Sequence, residues 1–413
     1  MLSGVFMKLP LLTEAAERFV TIEQGPIYLV GIQHLVESTV DLVDLLVRKL
    51  HLAGVWLGGK PYSVSMEAVE RLESMGICVV CGPAAWESGR LEAVLTRTAA
   101  TVWQEAEASL AMAESGTVVI LDDGSKLLSR LPIAVARRHR CVGVEQTTHG
   151  LNNWSRLCPI VEVASSAAKR IVEPVLIADR VVTALRENID LRRPRCGIIG
   201  IGAVGGALRV ALQEYASEIL LYDIDPHIQL APGAGGRCVS YEQLVSESDV
   251  IIGCSGSNAI LPGSVGGTGD LWLASASSSD VEFEAVLRMC PTRDVSVGSV
   301  VSTRIGARSV HVLNGGAPVN FVRGRISVAS ELIQLTRAML YAGIVQALAL
   351  KREDAEGYML DPDTQDALVC MWRELCFASS PLVGNACSRW KSDRQWIMRM
   401  SRGLYVAAQP ARP

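Results

Sequence analysis

A chain of 413 residues has room for two or three domains. Its 39 Lys and Arg against 43 Asp and Glu leave a net charge of −4, which argues against a dedicated nucleic-acid binder. Hydrophobic residues at 49% and charged residues at 20% exclude a disordered chain, and 36 glycines with only 5% aromatics read as α/β with buried parallel strands.

In chain order, the pattern predicts a strand at Ile27–Ile32 and a helix at Ser38–Leu50, where Val40, Leu42, Val43, Leu46, Val47 and Leu50 recur at helical spacing. A strand at Gly54–Leu57, a helix at Met66–Met75 and strands at Ile77–Val80 and Val118–Leu121 follow, the last ending at Asp122-Asp123-Gly124. Strand-helix alternation implies a parallel sheet, whose functional residues lie beyond the carboxyl ends of its strands. His34 and Asp123 fall at such ends. Ala164–Asn188 has a helical period, and Arg192-Arg193-Pro194-Arg195 introduces a second unit. The alternation restarts at Cys196, with strands at Glu218–Tyr222, Val250–Gly253 and Leu271–Ala274, and a helix at Val328–Leu350. The remainder carries Trp372, Trp390 and Trp396 and ends basic, with Arg389, Lys391, Arg394, Arg399 and Arg402. A solvated helical tail or a subunit-packing arm is expected there.

Eleven cysteines without a basic leader and apolar stretch predict reduced thiols in a cytoplasmic protein. Cys78 and Cys81 form a lone C-x-x-C, read as buried thiols rather than a metal or redox pair. The most apolar stretch, Cys196–Leu212, carries Arg209 and five glycines, so no membrane span is expected.

Gly200-Ile-Gly202-Ala203-Val204-Gly205 matches the dinucleotide fingerprint in the right setting, between an apolar strand and a helix. Gly200 permits the tight turn, Gly202 lets a pyrophosphate approach the backbone, and Gly205 packs helix against strand. Amides at the helix N-terminus hold phosphates. Asp223 stands 21 residues beyond Gly202, suited to ribose hydroxyls and repelling a 2′-phosphate, which favours NAD over NADP. Ser255 and Gly256 after one strand, and Ser277 after another, are further cofactor contacts by this reading.

The order of features resembles S-adenosylhomocysteine hydrolase over about residues 27–350. Gly143-Val-Glu-Gln146-Thr147-Thr148-His149-Gly150 is similar to that family's Glu-Glu-Thr-Thr-Thr-Gly run, Ile120–Gly124 to its Ile-Leu-Asp-Asp-Gly, and Asp280-Val281-Glu282 to its Asp-Val-Glu. His34 matches a histidine after the first strand, Ala164–Ala168 the segment before the catalytic lysine, and Asn314–Phe321 the Glu-Gly-Arg-Leu-Val-Asn-Leu stretch.

The resemblance implies chemistry in which bound NAD takes a hydride from a ribose carbon, the ketone acidifies the neighbouring C–H, and a thiol leaves. It gives Lys169 the 3′-hydroxyl role with Glu173 one helical turn on, and His34 with Asp123 the handling of the 4′ proton and the water. A desolvated lysine beside a carboxylate works near neutral pH. Gln146, Thr147 and Asn320 become substrate contacts, and Thr148, His149 and Asn320 cofactor contacts.

The departures share a direction. Gln146 stands where the family has glutamate, Lys60 where it has asparagine, Ser278 where it has histidine, Val36 and Ser38 where it contacts adenine. Val322–Arg325 replaces a Gly-His-Pro element, and the C-terminal NAD clamp is missing. The arginines of that loop hint at an anionic group.

The expectation is two doubly wound parallel-sheet α/β domains. Residues 1–185 form the catalytic domain and 186–325 a Rossmann NAD-binding domain. Residues 326–350 form a returning helix and 351–413 a helical tail. The expected function is a divergent adenosylhomocysteinase-like, NAD-dependent enzyme oxidising a hydroxyl of a nucleoside thioether or related small molecule, with elimination or hydrolysis possible. A homo-oligomer, dimer or tetramer, is expected, with neither nucleic acid nor membrane as partner. An inactive NAD-binding regulator and an unrelated NAD-dependent dehydrogenase are the competing readings.

Overall fold

A computed structural model describes residues 9–20, 25–151, 153–229, 235–290, 295–321, 328–350, 355–376, 382–384, 386–388 and 390, without the side chain of His149. The loop Val322–Arg325, the basic residues Arg389, Lys391, Arg394, Arg399 and Arg402, and Trp396 lie outside the described residues.

The first sheet contains β1 (Ile27–Gln33), β2 (Gly54–Gly59), β3 (Cys78–Cys81), β4 (Thr117–Asp122), β5 (Arg140–Glu145) and β6 (Ile160–Glu162). The second contains β7 (Arg195–Ile199), β8 (Glu218–Tyr222), β9 (Arg237–Cys238), β10 (Val250–Gly253), β11 (Gly269–Ser275), β12 (Val301–Ile305) and β13 (Arg308–Val312). A late strand, β14 (Gly357–Met359), returns to the edge of the first sheet beside β6.

The first sheet runs β3-β2-β1-β4-β5-β6-β14 and every pair in it is parallel. The second runs β9-β8-β7-β10-β11-β13-β12, parallel except for the β12–β13 hairpin. Both therefore reverse direction at their centre, between β1 and β4 and between β7 and β10. This is the doubly wound order, and crevices at such reversals bind ligands. The run Val118-Val119-Ile120-Leu121 is buried on both faces, as a central parallel strand covered by helices requires.

The helix Ser330–Ala349 crosses under the first sheet with Leu335, Ala338, Met339, Leu340 and Ile344 fully buried. It is long and apolar enough to span a membrane, contrary to the expectation of no such segment. It is also 72% buried inside the molecule, which makes it the core helix of the first domain. The segment after it was expected to be a solvated tail or packing arm. Instead it gives β14 and the helix Pro362–Cys376, whose Trp372 is wholly buried and donates its indole N–H to the Leu332 carbonyl. Trp390 is buried in the same core.

The helix Leu91–Met112, absent from the sequence reading, covers the other face of the sheet with Ala99, Val102, Trp103 and Ala106. Cys81 is exposed on edge strand β3 and Cys78 half-buried, so this pair is not the buried thiols expected. No group of His, Cys, Asp or Glu suited to a metal occurs among the described residues.

The two sheets are tied at one side. Trp86 and Val295 exchange backbone hydrogen bonds of 2.8 Å, Ser88 donates to the Leu287 carbonyl, and Asp280 accepts the Leu91 amide at 3.0 Å. Tyr62 completes the junction by donating to the Ser278 carbonyl at 2.5 Å.

Candidate active site

A cavity of about 350 Å³ lies between the two domains, at the carboxyl ends of both central strand pairs. His34, Asp123, Gln146, Thr147, Thr148, Lys169, Glu173, Ala203, Val204, Ser255, Gly256, Ser277 and Asn320, scattered over most of the chain, all line it. Gly200, Gly202, Gly205 and Asp223 do not line it; they lie in the fingerprint turn beside Ala203 and Val204 and directly after β8.

On the first-domain side the centre is Asp123, almost fully buried. Its carboxylate accepts from Lys60 Nζ at 2.5 Å and Gln146 Nε2 at 2.6 Å, and lies 3.2 Å from His34 Nε2. Burial alone would raise its pKa, but the Lys60 ammonium, helped by the contact with His34, outweighs it and holds the group below the ordinary carboxylate range. Burial likewise pulls against Lys60, and Asp123 more than offsets it, so the ammonium stays charged.

Burial lowers the His34 pKa and Asp123 only partly restores it, so the neutral imidazole is favoured. His34 Nδ1 is 2.6 Å from Ser63 Oγ, which also reaches the Lys60 carbonyl at 3.3 Å. The ring stacks on Phe321 of the second domain, with centroids 4.5 Å apart. β1 delivers His34, the β2 end delivers Lys60 and Ser63, and β4 delivers Asp123.

The loops carrying these groups are pinned from beneath. Asp122 accepts the amides of Asp123, Lys126, Leu127 and Leu128 and folds the Asp-Asp-Gly turn back on itself. Glu145 accepts from the amides of Gly124, Ser125 and Thr147 and from the Thr147 hydroxyl, joining the β4 and β5 loops. Burial and the charge of Asp122 push the Glu145 carboxyl up to about 8.

Lys169 sits in the first turn of the helix Ala167–Asn188, fixed by the Ser166 N-cap, whose hydroxyl accepts the Lys169 amide at 3.3 Å. Its Nζ pairs with Glu173, and both side chains are about 15% exposed, on the cavity wall.

On the second-domain side the fingerprint has the expected backbone. Gly200 adopts φ +92°, and a Cβ on Gly205 would stand 1.9 Å from the Gly200 carbonyl, which only glycine avoids. A Cβ on Gly202 would meet nothing within 4 Å, so open space stands before the N-terminus of the helix Ala203–Ala211. Asp223 accepts the Ile201 amide at 2.6 Å and the Asp225 amide at 3.0 Å, which leaves its carboxylate further lone pairs for hydroxyls. Glu282 accepts from the Gly256 amide at 2.5 Å, from Ser255 Oγ at 2.9 Å and from Ser277 Oγ, so one buried carboxylate sets both cofactor-side loops.

Sequence reasoning missed Tyr62 and Phe321 against the His34 ring and Arg337 on the wall, and behind the wall Lys60 as the partner of Asp123 and Ser63 beside His34. The only signal for Lys60 was its departure from the family asparagine. Arg337 lies in the helix expected only to return to the first domain.

No family model matches the chain. Two uncharacterized proteins of Mycobacterium tuberculosis, from strains CDC 1551 / Oshkosh and H37Rv, are each 30% identical over 340 residues, covering 78% of this chain. The aligned region spans 65% of the length of those relatives. Among solved structures, NAD-dependent formate dehydrogenase from Staphylococcus aureus in complex with NAD is 14% identical, covering 78% of this chain and 94% of that one at a TM-score of 0.41. A D-lactate dehydrogenase from Sporolactobacillus sp. is 14% identical, covering 63% and 73%, at a TM-score of 0.27.

Proposed function

We propose that this protein is an adenosylhomocysteinase-like, NAD-dependent enzyme that oxidises a secondary hydroxyl of a small molecule. The observation that carries the reading is one cavity with an acid–base wall, Lys169–Glu173 and His34–Asp123 with Lys60 behind it, facing a dinucleotide fingerprint on the other domain. The fit to NAD rests on this chain's own atoms. The space before Gly202 and the helix amides suits a pyrophosphate, the spare lone pairs of Asp223 suit ribose hydroxyls, and the loops set by Glu282 border the place for a nicotinamide.

When bound, NAD supplies the hydride acceptor. The chain's part is to hold the hydroxyl and move protons. Lys169 Nζ stands on the wall to take the hydroxyl proton after passing one of its own to the Glu173 carboxylate it pairs with. Neutral His34 has two arrangements. With its proton on Nε2 it donates to Asp123, and Nδ1 accepts from Ser63. With its proton on Nδ1 it donates to Ser63 Oγ, whose hydroxyl turns to the Lys60 carbonyl, and Nε2 becomes a base beside Asp123. The imidazolium formed by proton uptake at Nε2 then lies against a carboxylate that stays ionised. Such positioned proton transfer contributes about 10²–10⁴-fold in rate.

Loss of a thiol or addition of water would follow at the same His34–Asp123 pair. The test is nicotinamide reduction by a panel of nucleoside thioethers and simpler secondary alcohols, with Lys169→Ala beside the wild type. The reading expects reduction by at least one compound, and a loss of about 10²-fold or more in the variant. Reduction unaffected by Lys169→Ala would overturn it.

A further inference from the structure

The charges around the cavity do not cancel. Asp123 is matched by Lys60, Glu173 by Lys169, and Glu37 by Arg71. Two guanidinium groups on the same wall, Arg170 and Arg337, have no carboxylate within 4 Å among the described residues. Arg337 is the more demanding of the two. It is 4% exposed, in the middle of the core helix, next to the His34–Asp123 pair. Its Nε donates to Ser38 Oγ at 3.1 Å and its Nη1 to Gln33 Oε1 at 3.3 Å, which fixes the plane of the fork. Its Nη2 makes no hydrogen bond among the described residues.

The surroundings are built for one more acceptor. Gln33 Nε2 is buried and makes no hydrogen bond, and Ser330 and Thr336, on the same helix as Arg337, bring two hydroxyl-bearing side chains to the cavity lining. A buried cation with no carboxylate in contact is costly: burial lowers the Arg337 pKa to about 10, with the more distant Asp123 and Glu173 offsetting only part of that, so the group is still charged at neutral pH. A planar fork held by two neutral acceptors suits a carboxylate or a phosphate oxygen pair.

We propose that Arg337, oriented by Ser38 and Gln33 and supported by Arg170, forms an anion-binding subsite that makes the substrate of this cavity a hydroxyl compound bearing a carboxylate or phosphate. The proposal deepens the reading above and rests on it for the word substrate, while the subsite itself is testable with no cofactor and no turnover.

The experiment measures unfolding temperature and equilibrium binding without NAD, at constant ionic strength. The probes are inorganic phosphate, glucose 6-phosphate and gluconate, with glucose as the neutral control. Wild-type protein should be stabilised by at least one anion and not by glucose. Protection by gluconate alone assigns a carboxylate, and protection by the phosphates alone assigns a phosphate. Arg337→Met should weaken binding of that anion by about tenfold or more, the usual effect of deleting a charged hydrogen-bond donor. Its unfolding temperature in anion-free buffer should not fall, because an unpaired buried charge has gone. Ser38→Ala, which leaves the charge in place, should weaken binding several-fold and decides the matter if Arg337→Met does not fold.

Equal response to glucose and to the anions, no response to any anion, or an anion response untouched by Arg337→Met or by Ser38→Ala would overturn the proposal; the last would place the anion at the fingerprint turn. Anion binding lost in Arg337→Met while no compound reduces the nicotinamide would keep the subsite and refute the enzymatic reading. Turnover abolished by Lys169→Ala with no Arg337-dependent anion binding would do the reverse.

Discussion

Replacing Lys60 by Met leaves the Asp123 carboxylate, 1% exposed, with only Gln146 and a neutral imidazole as partners. Removing one member of a buried ion pair costs about 3–5 kcal/mol, because the remaining charge keeps its desolvation penalty and loses its compensation. Asp123→Asn strands the Lys60 ammonium in the same way and should cost a similar amount. The double variant loses both charges together, so its destabilisation should fall short of the sum by about 2 kcal/mol or more. Urea unfolding of the four proteins at neutral pH, followed by tryptophan fluorescence and circular dichroism, gives this coupling directly. Additive losses would show that the two charges do not depend on each other and would refute the account of the site's electrostatic centre.

The same pair sets an acid limit. Asp123 has a folded-state pKa below its unfolded value of 3.8, so its stabilisation is present above that value and lost as pH falls through and below it. The urea midpoint should therefore drop more steeply between pH 5 and pH 3 (roughly, the carboxylate range) in the wild type than in Asp123→Asn. Gln146→Glu sets a second carboxylate where an amide now donates to Asp123 at 2.6 Å. Its unfolding temperature should be close to that of the wild type in mild acid and fall as the new group ionises. The fingerprint glycines separate by role. Gly205→Ala meets a carbonyl at 1.9 Å and should lower the unfolding temperature, whereas Gly202→Val enters open space and should fold normally while losing NAD in a binding titration. Trp372→Ala empties a fully buried site and should cost about 3–5 kcal/mol in urea unfolding.

Much of the fold was legible because parallel strands are short apolar runs with glycine or acidic ends. β2, β4, β7, β8 and β10 carry that pattern, and Gly200–Gly205 adds a motif whose neighbours fix its meaning. The site was legible where one residue type at a strand end has few other uses, as at His34 and Asp123, and where helical spacing pairs two groups, as at Lys169 and Glu173. Lys60, Phe321 and Arg337 were not. Each acquires its role from a contact that crosses the chain by tens or hundreds of residues, which no local pattern records. Trp372 was misjudged for a related reason: a helix beyond the last recognised element has no sequence mark that says which core it joins. The helix Leu91–Met112 shows a third limit, since most of its small apolar residues, such as Ala99 and Ala106, signal burial weakly.

The most direct test of the central claim is a calorimetric titration of the purified protein with NAD and, separately, NADP. One NAD per chain, weakened strongly by Gly202→Val and preferred over NADP, is the predicted result. No saturable binding of NAD, or binding indifferent to Gly202→Val, would contradict the account.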